Sequence, residues 1–112
     1  MKYMLLIHND GDRVRDLDGD DLIELTREYL ALVETPGVLL GQRLKSPDTA
    51  TTVRVQDGRT LTTDGPFIEA KEALGGLLIY EADDLDAALA FAARVPAARM
   101  GGAVEVRPVA EN

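Results

Sequence analysis

The sequence predicts an α+β fold of the ferredoxin-like kind, ordered β-α-β-β-α-β, with an extra β-hairpin inserted after the second strand. Two segments, residues 2–8 and 77–80, are apolar on both faces, which is typical of strands that are covered on both sides. Two segments with helical periodicity each lie between strand-like segments. In the ferredoxin-like order the first and third core strands are central, and these are the two doubly apolar segments.

Composition indicates one domain over residues 1–112, with enough apolar content (46%) for a modest core. The absence of cysteine excludes a disulfide framework, a thiol nucleophile and sulfur-rich zinc sites. The single histidine, His8, excludes a histidine-rich metal centre, so no metal and no cofactor is expected.

The net charge of −8, without a concentrated basic patch, argues against a nucleic-acid partner. The apolar run that ends at Ile7 is too short for a signal segment or a membrane span, so we expect no membrane partner and a cytoplasmic location.

The first strand, residues 2–8, precedes a predicted loop over residues 9–19 and a helix from Asp20 or Asp21 to about Val33. The helix is expected to bury one apolar stripe, formed by Leu22, Leu25, Tyr29, Leu32 and Val33. The acidic loop does not fit a calcium-binding EF-hand, because the required Gly and Glu positions hold Asp21 and Arg27 when the loop is counted from Asp16.

The middle of the chain predicts a short strand over residues 38–44 and then a hairpin. Its arms, residues 51–56 and 59–63, flank Asp57-Gly58, a strong two-residue turn signal. A bend over residues 64–67 follows, and we expect burial of Phe67 to anchor it.

The last third predicts a central strand over residues 77–80, a helix capped at Asp83 that runs to about Val95, and a final strand over residues 103–109. The apolar face of this helix is expected to comprise Leu85, Ala88, Leu89, Ala92 and Val95.

Two helices can cover only one face of such a sheet. On the other face we expect Met4, Leu6, Leu78 and Tyr80 to be left in water, at about 1.5–3 kcal/mol for each large apolar side chain. A self-complementary patch of this kind predicts a homodimer packed sheet to sheet.

Two residues are candidates for catalysis, Asp64 and His8. Asp64 is either an acid, base or ligand anchor facing a pocket, or a residue that holds the bend as an Asx-turn. His8, at the end of the first strand, is either a core residue or a proton carrier paired with Asp64.

Three further residues are candidates for ligand binding. Glu105 and Arg107 lie opposite Val104 and Val106 in the last strand, so they face the barrel interior if the valines meet the helices. Otherwise they are charges that protect an edge strand. Arg99, in a glycine-flanked loop, is a third candidate for binding an anion.

The stretch Asp64-Gly65-Pro66-Phe67, followed by Glu69-Ala70-Lys71-Glu72 and Gly75-Gly76, resembles the DGPF-type members of the YCII-related family. The likeness extends to the start of the chain, to residues 50–54, and to residues 96–99 and 105–108. It implies a dimeric α/β barrel. In some related proteins it implies a His-Asp pair, and for DGPF-type members it implies a functional link to extracytoplasmic-function sigma factors. One relative takes part in the breakdown of chlorinated aromatic compounds, which implies a similar role.

The sequence departs from this family in ways that affect function. Met100 stands where a His commonly follows Ala-Ala-Arg, His8 replaces the usual Tyr, and the helix that carries the YCII-type His in the family has no His here. Two functions are therefore expected. The first is a dimeric small-molecule-binding protein, accessory to a sigma-factor pathway. The alternative is a cofactor-independent enzyme, of isomerase, lyase or dehalogenase type, acting on a small anionic or aromatic compound.

Overall fold

The computed structural model describes residues 1–111 and contains six strands and three α-helices within that range. In chain order they are β1 (Lys2–Asp10), α1 (Gly11–Arg15), α2 (Gly19–Val33), β2 (Val38–Arg43), β3 (Thr51–Gln56), β4 (Arg59–Asp64), β5 (Glu72–Glu81), α3 (Leu85–Ala92) and β6 (Ala103–Pro108). Four strands form an antiparallel sheet in the order β2-β5-β1-β6, and β3 pairs with β4 in a separate ribbon. The predicted ferredoxin-like order is confirmed, with β1 and β5 central.

The core lies between one face of the sheet and the two longer helices. Leu5 of β1 and Val95, which follows α3, are fully buried, and the ring of Tyr80 stacks on Phe91 with centroids 4.0 Å apart. The thickness of the molecule, 19 Å, corresponds to a sheet and a single layer of helices. The opposite face of the sheet therefore has no helix over it.

The residues on this open face differ from the prediction. Leu5 pairs with Leu78, and Tyr3 pairs with Tyr80, so these side chains all point towards the helices. The open face instead carries Leu77 and Ile79 of β5, beside Met4 and Leu6 of β1, and all four are half-buried. The prediction was wrong for Leu78 and Tyr80 because both alternating sets of β5 are apolar, so the sequence pattern does not distinguish its two faces.

The first helical region also differs from the prediction. Instead of a loop over residues 9–19, β1 continues to Asp10, whose carboxylate accepts hydrogen bonds from the backbone of Asp12 and Arg13 and caps α1. The carboxylate of Asp18, rather than Asp20 or Asp21, caps α2 through the amide of Asp21 at 2.8 Å.

The second long helix begins one residue later than expected. Asp84 caps α3 by accepting the amide hydrogen of Ala87, so Asp83 is not the cap. The helix buries Ala88, Phe91 and Ala92, and it leaves two residues that were predicted to be buried, Leu85 and Leu89, about half exposed. Phe91, which was not predicted to be buried, is 3% exposed and packs against Tyr80.

The β3–β4 ribbon and the segment that follows it, residues 51–71, form a projection that we call the arm. Its turn has positive φ angles at Asp57 (52°) and Gly58 (74°), which confirms the predicted two-residue hairpin. The arm contributes no buried residue to the core. Phe67 remains 71% exposed, contrary to the predicted burial, and the guanidinium group of Arg54 lies 5.8 Å from the centroid of its ring.

A close backbone approach fixes the end of β1. A side chain at Gly102 would overlap the backbone carbonyl of His8, whereas a side chain at Gly19 would meet no other atom. We expect Gly102→Ala to lower the free energy of unfolding by about 1–3 kcal/mol, as overpacking does. Gly19→Ala is the matched control and should cause no loss. Urea denaturation of both variants tests this, and equal stabilities would contradict it.

Candidate functional site

Three of the five candidate residues lie together on the open face of the sheet. Glu105 of β6 pairs with Leu6 of β1, and Arg107 pairs with Met4, so all four side chains share that face. His8 lies two residues beyond Leu6 and therefore on the same side. Val104 and Val106 point to the core, as the hypothesis of inward-facing charges requires.

The three polar side chains form one contact group, which we call the β6 cluster (His8, Glu105 and Arg107). Glu105 is its centre: one carboxylate oxygen lies 3.7 Å from Nε2 of His8, and the other accepts a hydrogen bond from Nε of Arg107 at 2.6 Å. The terminal nitrogens of Arg107 donate no hydrogen bond to any of residues 1–111, and its side chain is largely exposed. These nitrogens can thus bind an external anion.

An apolar surface lies beside the β6 cluster. Met4 and Leu6 of β1 and Leu77 and Ile79 of β5 form adjacent rows on the open face, because Met4 pairs with Ile79 and Leu6 with Leu77. We call these four residues the apolar floor. A flat apolar surface bounded by a guanidinium, a carboxylate and an imidazole suits a small molecule that is apolar on its faces and anionic at an edge.

Two glycines hold the backbone at the end of β1 that carries His8. Gly102 lies against the backbone carbonyl of His8 and leaves no space for a Cβ, whereas Gly75 lies under the side-chain amide of Asn9, which would have to move to admit one. The pairing of β1 with β5 shifts between Ile7 and His8, which leaves Gly75 unpaired as a bulge. The sequence analysis did not predict this positioning role for the two glycines. The signal for it was a glycine just before each of two predicted strands, residues 77–80 and 103–109.

Asp64 does not join the β6 cluster within one protomer. It is the last residue of β4, it is exposed, and its carboxylate forms no hydrogen bond or ion pair with another residue of the range 1–111. The bend after it is held instead by the amide of Gly65, which donates to the carbonyl of Ala50 at 2.7 Å, and by the hydroxyl of Thr52, which donates to the carbonyl of Gly65. Neither the Asx-turn nor a pair with His8 is formed.

Arg99 lies among the helices, away from the β6 cluster. It follows the short 3₁₀ turn Pro96–Ala98, and one of its terminal nitrogens lies 2.7 Å from both carboxylate oxygens of Glu28 in α2. The neighbouring Tyr29 packs against the core; its burial raises the pKa of its phenol, while hydrogen bonding from the Ala97 backbone and the charge of Arg99 oppose the rise. In this position Arg99 ties the loop to α2.

No group of three or more His, Asp or Glu residues able to share a metal ion occurs in the range 1–111. Two shallow depressions lie away from the β6 cluster, one of about 360 Å³ at the tip of the arm and one of about 190 Å³ between α3 and β6. None of the helices in the described part of the chain has the length and apolar character needed to span a membrane.

Comparisons with known proteins agree with this architecture. A family model described as a YCII-related domain matches residues 1–112. An uncharacterised protein of Rhizobium meliloti (strain 1021) is 34% identical over 116 residues, which cover 98% of this chain and 93% of the relative.

Among solved structures, the fold is similar to that of 5-chloro-2-hydroxyhydroquinone dehydrochlorinase from Burkholderia phenoliruptrix AC1100, determined in complex with 2,5-dihydroxybenzoquinone. The TM-score is 0.57, the sequence identity is 17%, and the match covers all of this chain and 96% of that protein. At this identity the similarity establishes the fold alone.

The contact between Arg99 and Glu28 predicts a small mutual stabilisation. Because both side chains are substantially exposed, we expect a coupling free energy of about 0.2–1 kcal/mol in a double-mutant cycle of Arg99→Met and Glu28→Gln. Chemical denaturation of the four proteins provides the measurement. Additive effects of the two substitutions would show that the pair does not hold the loop to α2.

Proposed function

The chain belongs to the YCII-related family, and from that premise we propose that it is a dimeric small-molecule-binding protein whose ligand lies on the open face of the sheet. One observation carries the proposal: the β6 cluster and the apolar floor occupy the same face, which the chain's own helices leave uncovered. The ligand would lie on the floor, with an anionic edge against Arg107.

The dimer is supported by the accessible surface of the protomer. A compact monomer of this mass is expected to expose about 6,000 Å², whereas the protomer exposes 7969 Å². The excess is roughly 2,000 Å², more than the roughly 800 Å² that each partner buries in a standard interface. Two protomers packed through their open faces would remove the apolar floor from water and enclose the ligand between two sheets.

The ligand class follows from the chemistry of this face. The protein carries a net charge of −8, so it repels anions at long range, and binding an anion requires a local cation. Arg107 supplies that cation with its unoccupied terminal nitrogens, while the floor supplies apolar contact for a ring. The quinone bound to the dehydrochlorinase of similar fold is a small ring compound of this kind.

A second candidate function is cofactor-independent catalysis on such a ring compound. The observation that favours it is the 3.7 Å separation between the imidazole of His8 and the carboxylate of Glu105. His8 would accept a proton from the ligand, and Glu105 would stabilise the imidazolium ion. Incubation with 5-chloro-2-hydroxyhydroquinone distinguishes the candidates. Chloride release that His8→Gln abolishes would establish the enzyme, and release no faster than in buffer supports the binding protein.

Two further expectations stay predictions: the functional link to an extracytoplasmic-function sigma factor, which the family resemblance implied, and the cytoplasmic location. Both concern the protein's surroundings in the cell. Identification of the genes beside its own, and of proteins that co-purify with it, would test the first.

The dimer makes a direct prediction about the apolar floor. The wild type should sediment at twice the 12.1 kDa mass of one chain at micromolar concentration. Leu77→Lys should shift it to the single-chain mass, because two ammonium groups would then face each other without water in the interface. Ile23→Lys, at an exposed position of α2, is the matched control and should remain dimeric. A wild-type protein of single-chain mass would refute the dimer.

The ligand site predicts selective weakening by loss of Arg107. With 2,5-dihydroxybenzoquinone as the probe in isothermal titration, Arg107→Met should weaken binding about tenfold to hundredfold, the contribution expected of hydrogen bonds to a charged group. Arg94→Met is the control, since Arg94 lies over the ring of Phe91 on the helical side, and it should bind as the wild type does. No binding by the wild type, or equal weakening in both variants, would contradict this site.

A further inference from the structure

The arm has two faces of different character. On one face lie the side chains of Val53, Val55, Thr60 and Thr62, which we call the β-branched face. Asp64 lies at the base of the same face, because it is separated from Thr62 by two positions. The opposite face includes Arg54, Leu61 and Gln56.

The contacts that the arm makes with the segment after it lie on the opposite face. The ring of Phe67 lies near the guanidinium of Arg54, and Thr52 on that face bonds to the carbonyl of Gly65. On the β-branched face Val53 is 60% and Val55 is 71% exposed. A two-stranded ribbon without a packed face is marginally stable in water, so this ribbon requires a surface to cover it.

We infer that the β-branched face of each arm packs against a second copy of the chain and carries Asp64 into that contact. The inference rests on the proposed dimer and extends it, since the open sheet faces alone do not engage the arms. The partner's open sheet face and the two arms then form one continuous interface.

The accessible area fits this larger interface. The protomer exposes roughly 2,000 Å² more than a compact chain of its mass, given its total of 7969 Å². A standard interface uses about 800 Å² on each side, so an area of comparable size remains for the arm after the sheets have met. Interfaces of the combined size are typical of obligate dimers.

The charge distribution is compatible with a second copy as the occupant. The arm contains three basic residues (Arg54, Arg59 and Lys71) and three acidic residues (Asp57, Asp64 and Glu69), so it has no net charge. The whole net charge of −8 therefore belongs to the rest of the chain. Two such acidic bodies repel each other, and a neutral arm can lie on a partner's body without adding to that repulsion.

This packing accounts for the position of Asp64. Its carboxylate forms no hydrogen bond or ion pair within residues 1–111, although Asp64 is the acidic residue that begins the bend over residues 64–67. On the β-branched face its carboxylate lies against the second copy. Asp64 is thus part of the interface between the two protomers, and it does not join the β6 cluster of its own chain.

The absence of native cysteine allows a direct test. Val55→Cys and Gln56→Cys each introduce the only thiol of the chain, at adjacent positions on opposite faces of the arm. Their rates of reaction with a maleimide are measured in the native dimer and in the Leu77→Lys background. At a concentration where nine-tenths of the protein is dimeric, Val55→Cys should react about tenfold more slowly than in the monomer. Gln56→Cys should react equally in both, and Asp64→Cys should behave like Val55→Cys.

The outcomes separate this inference from the proposed function. A dimer by sedimentation in which both thiols react at the monomer rate would overturn the arm contact and leave the sheet-to-sheet dimer standing. A wild-type monomer would overturn both. Protection of Val55→Cys in a dimer that survives Leu77→Lys would support the arm contact and overturn the sheet contact.

Discussion

One constraint underlies the structure: the central strands β1 and β5 are apolar on both faces, but the chain has helices for only one. α2 and α3 cover the side that carries Leu5 and Leu78, and the apolar floor is left on the other side. Leaving large apolar side chains in water is unfavourable by about 1.5–3 kcal/mol each when they are fully exposed. A partner surface is the direct way to remove that cost, which is why dimerisation and ligand binding are proposed for the same face.

The site depends on strand register more than on any single motif. The pairing of β6 with β1 brings Glu105 beside His8, although they are far apart in the chain, and Arg107 contacts the other oxygen of Glu105. Gly102 allows the backbone to approach His8 closely enough for this register. Arg99, which the sequence offered as an equivalent anion-binding residue, lies on the helical side and pairs with Glu28. The two arginines differ in role because the sheet separates them, not because their local sequences differ.

Much of the fold was predictable because it depends on local patterns. Apolar residues on both faces predicted the central positions of β1 and β5 in a ferredoxin-like order, and turn chemistry predicted the hairpin at Asp57-Gly58. Some predictions were wrong by one residue because two neighbouring residues are chemically equivalent. An example is the cap of α3, which is Asp84 and not Asp83. The face of β5 was misassigned for the same reason. Of the candidate site, Glu105 and Arg107 were placed correctly relative to the valines, since alternation in β6 has only one apolar set.

The sequence by itself determined the six strands, the two longer helices, their order and the lack of enough helix to cover both faces of the sheet; it did not indicate the short helix α1. It also determined which charged residues alternate with apolar ones in the last strand. Only the tertiary structure decided that His8 meets Glu105 and that Arg99 meets Glu28. It also decided that Phe67 stays largely exposed and that the carboxylate of Asp64 forms no hydrogen bond or ion pair within residues 1–111. Local propensity acts over a few residues, whereas these contacts depend on strand pairing and helix placement between distant segments, which no local pattern records.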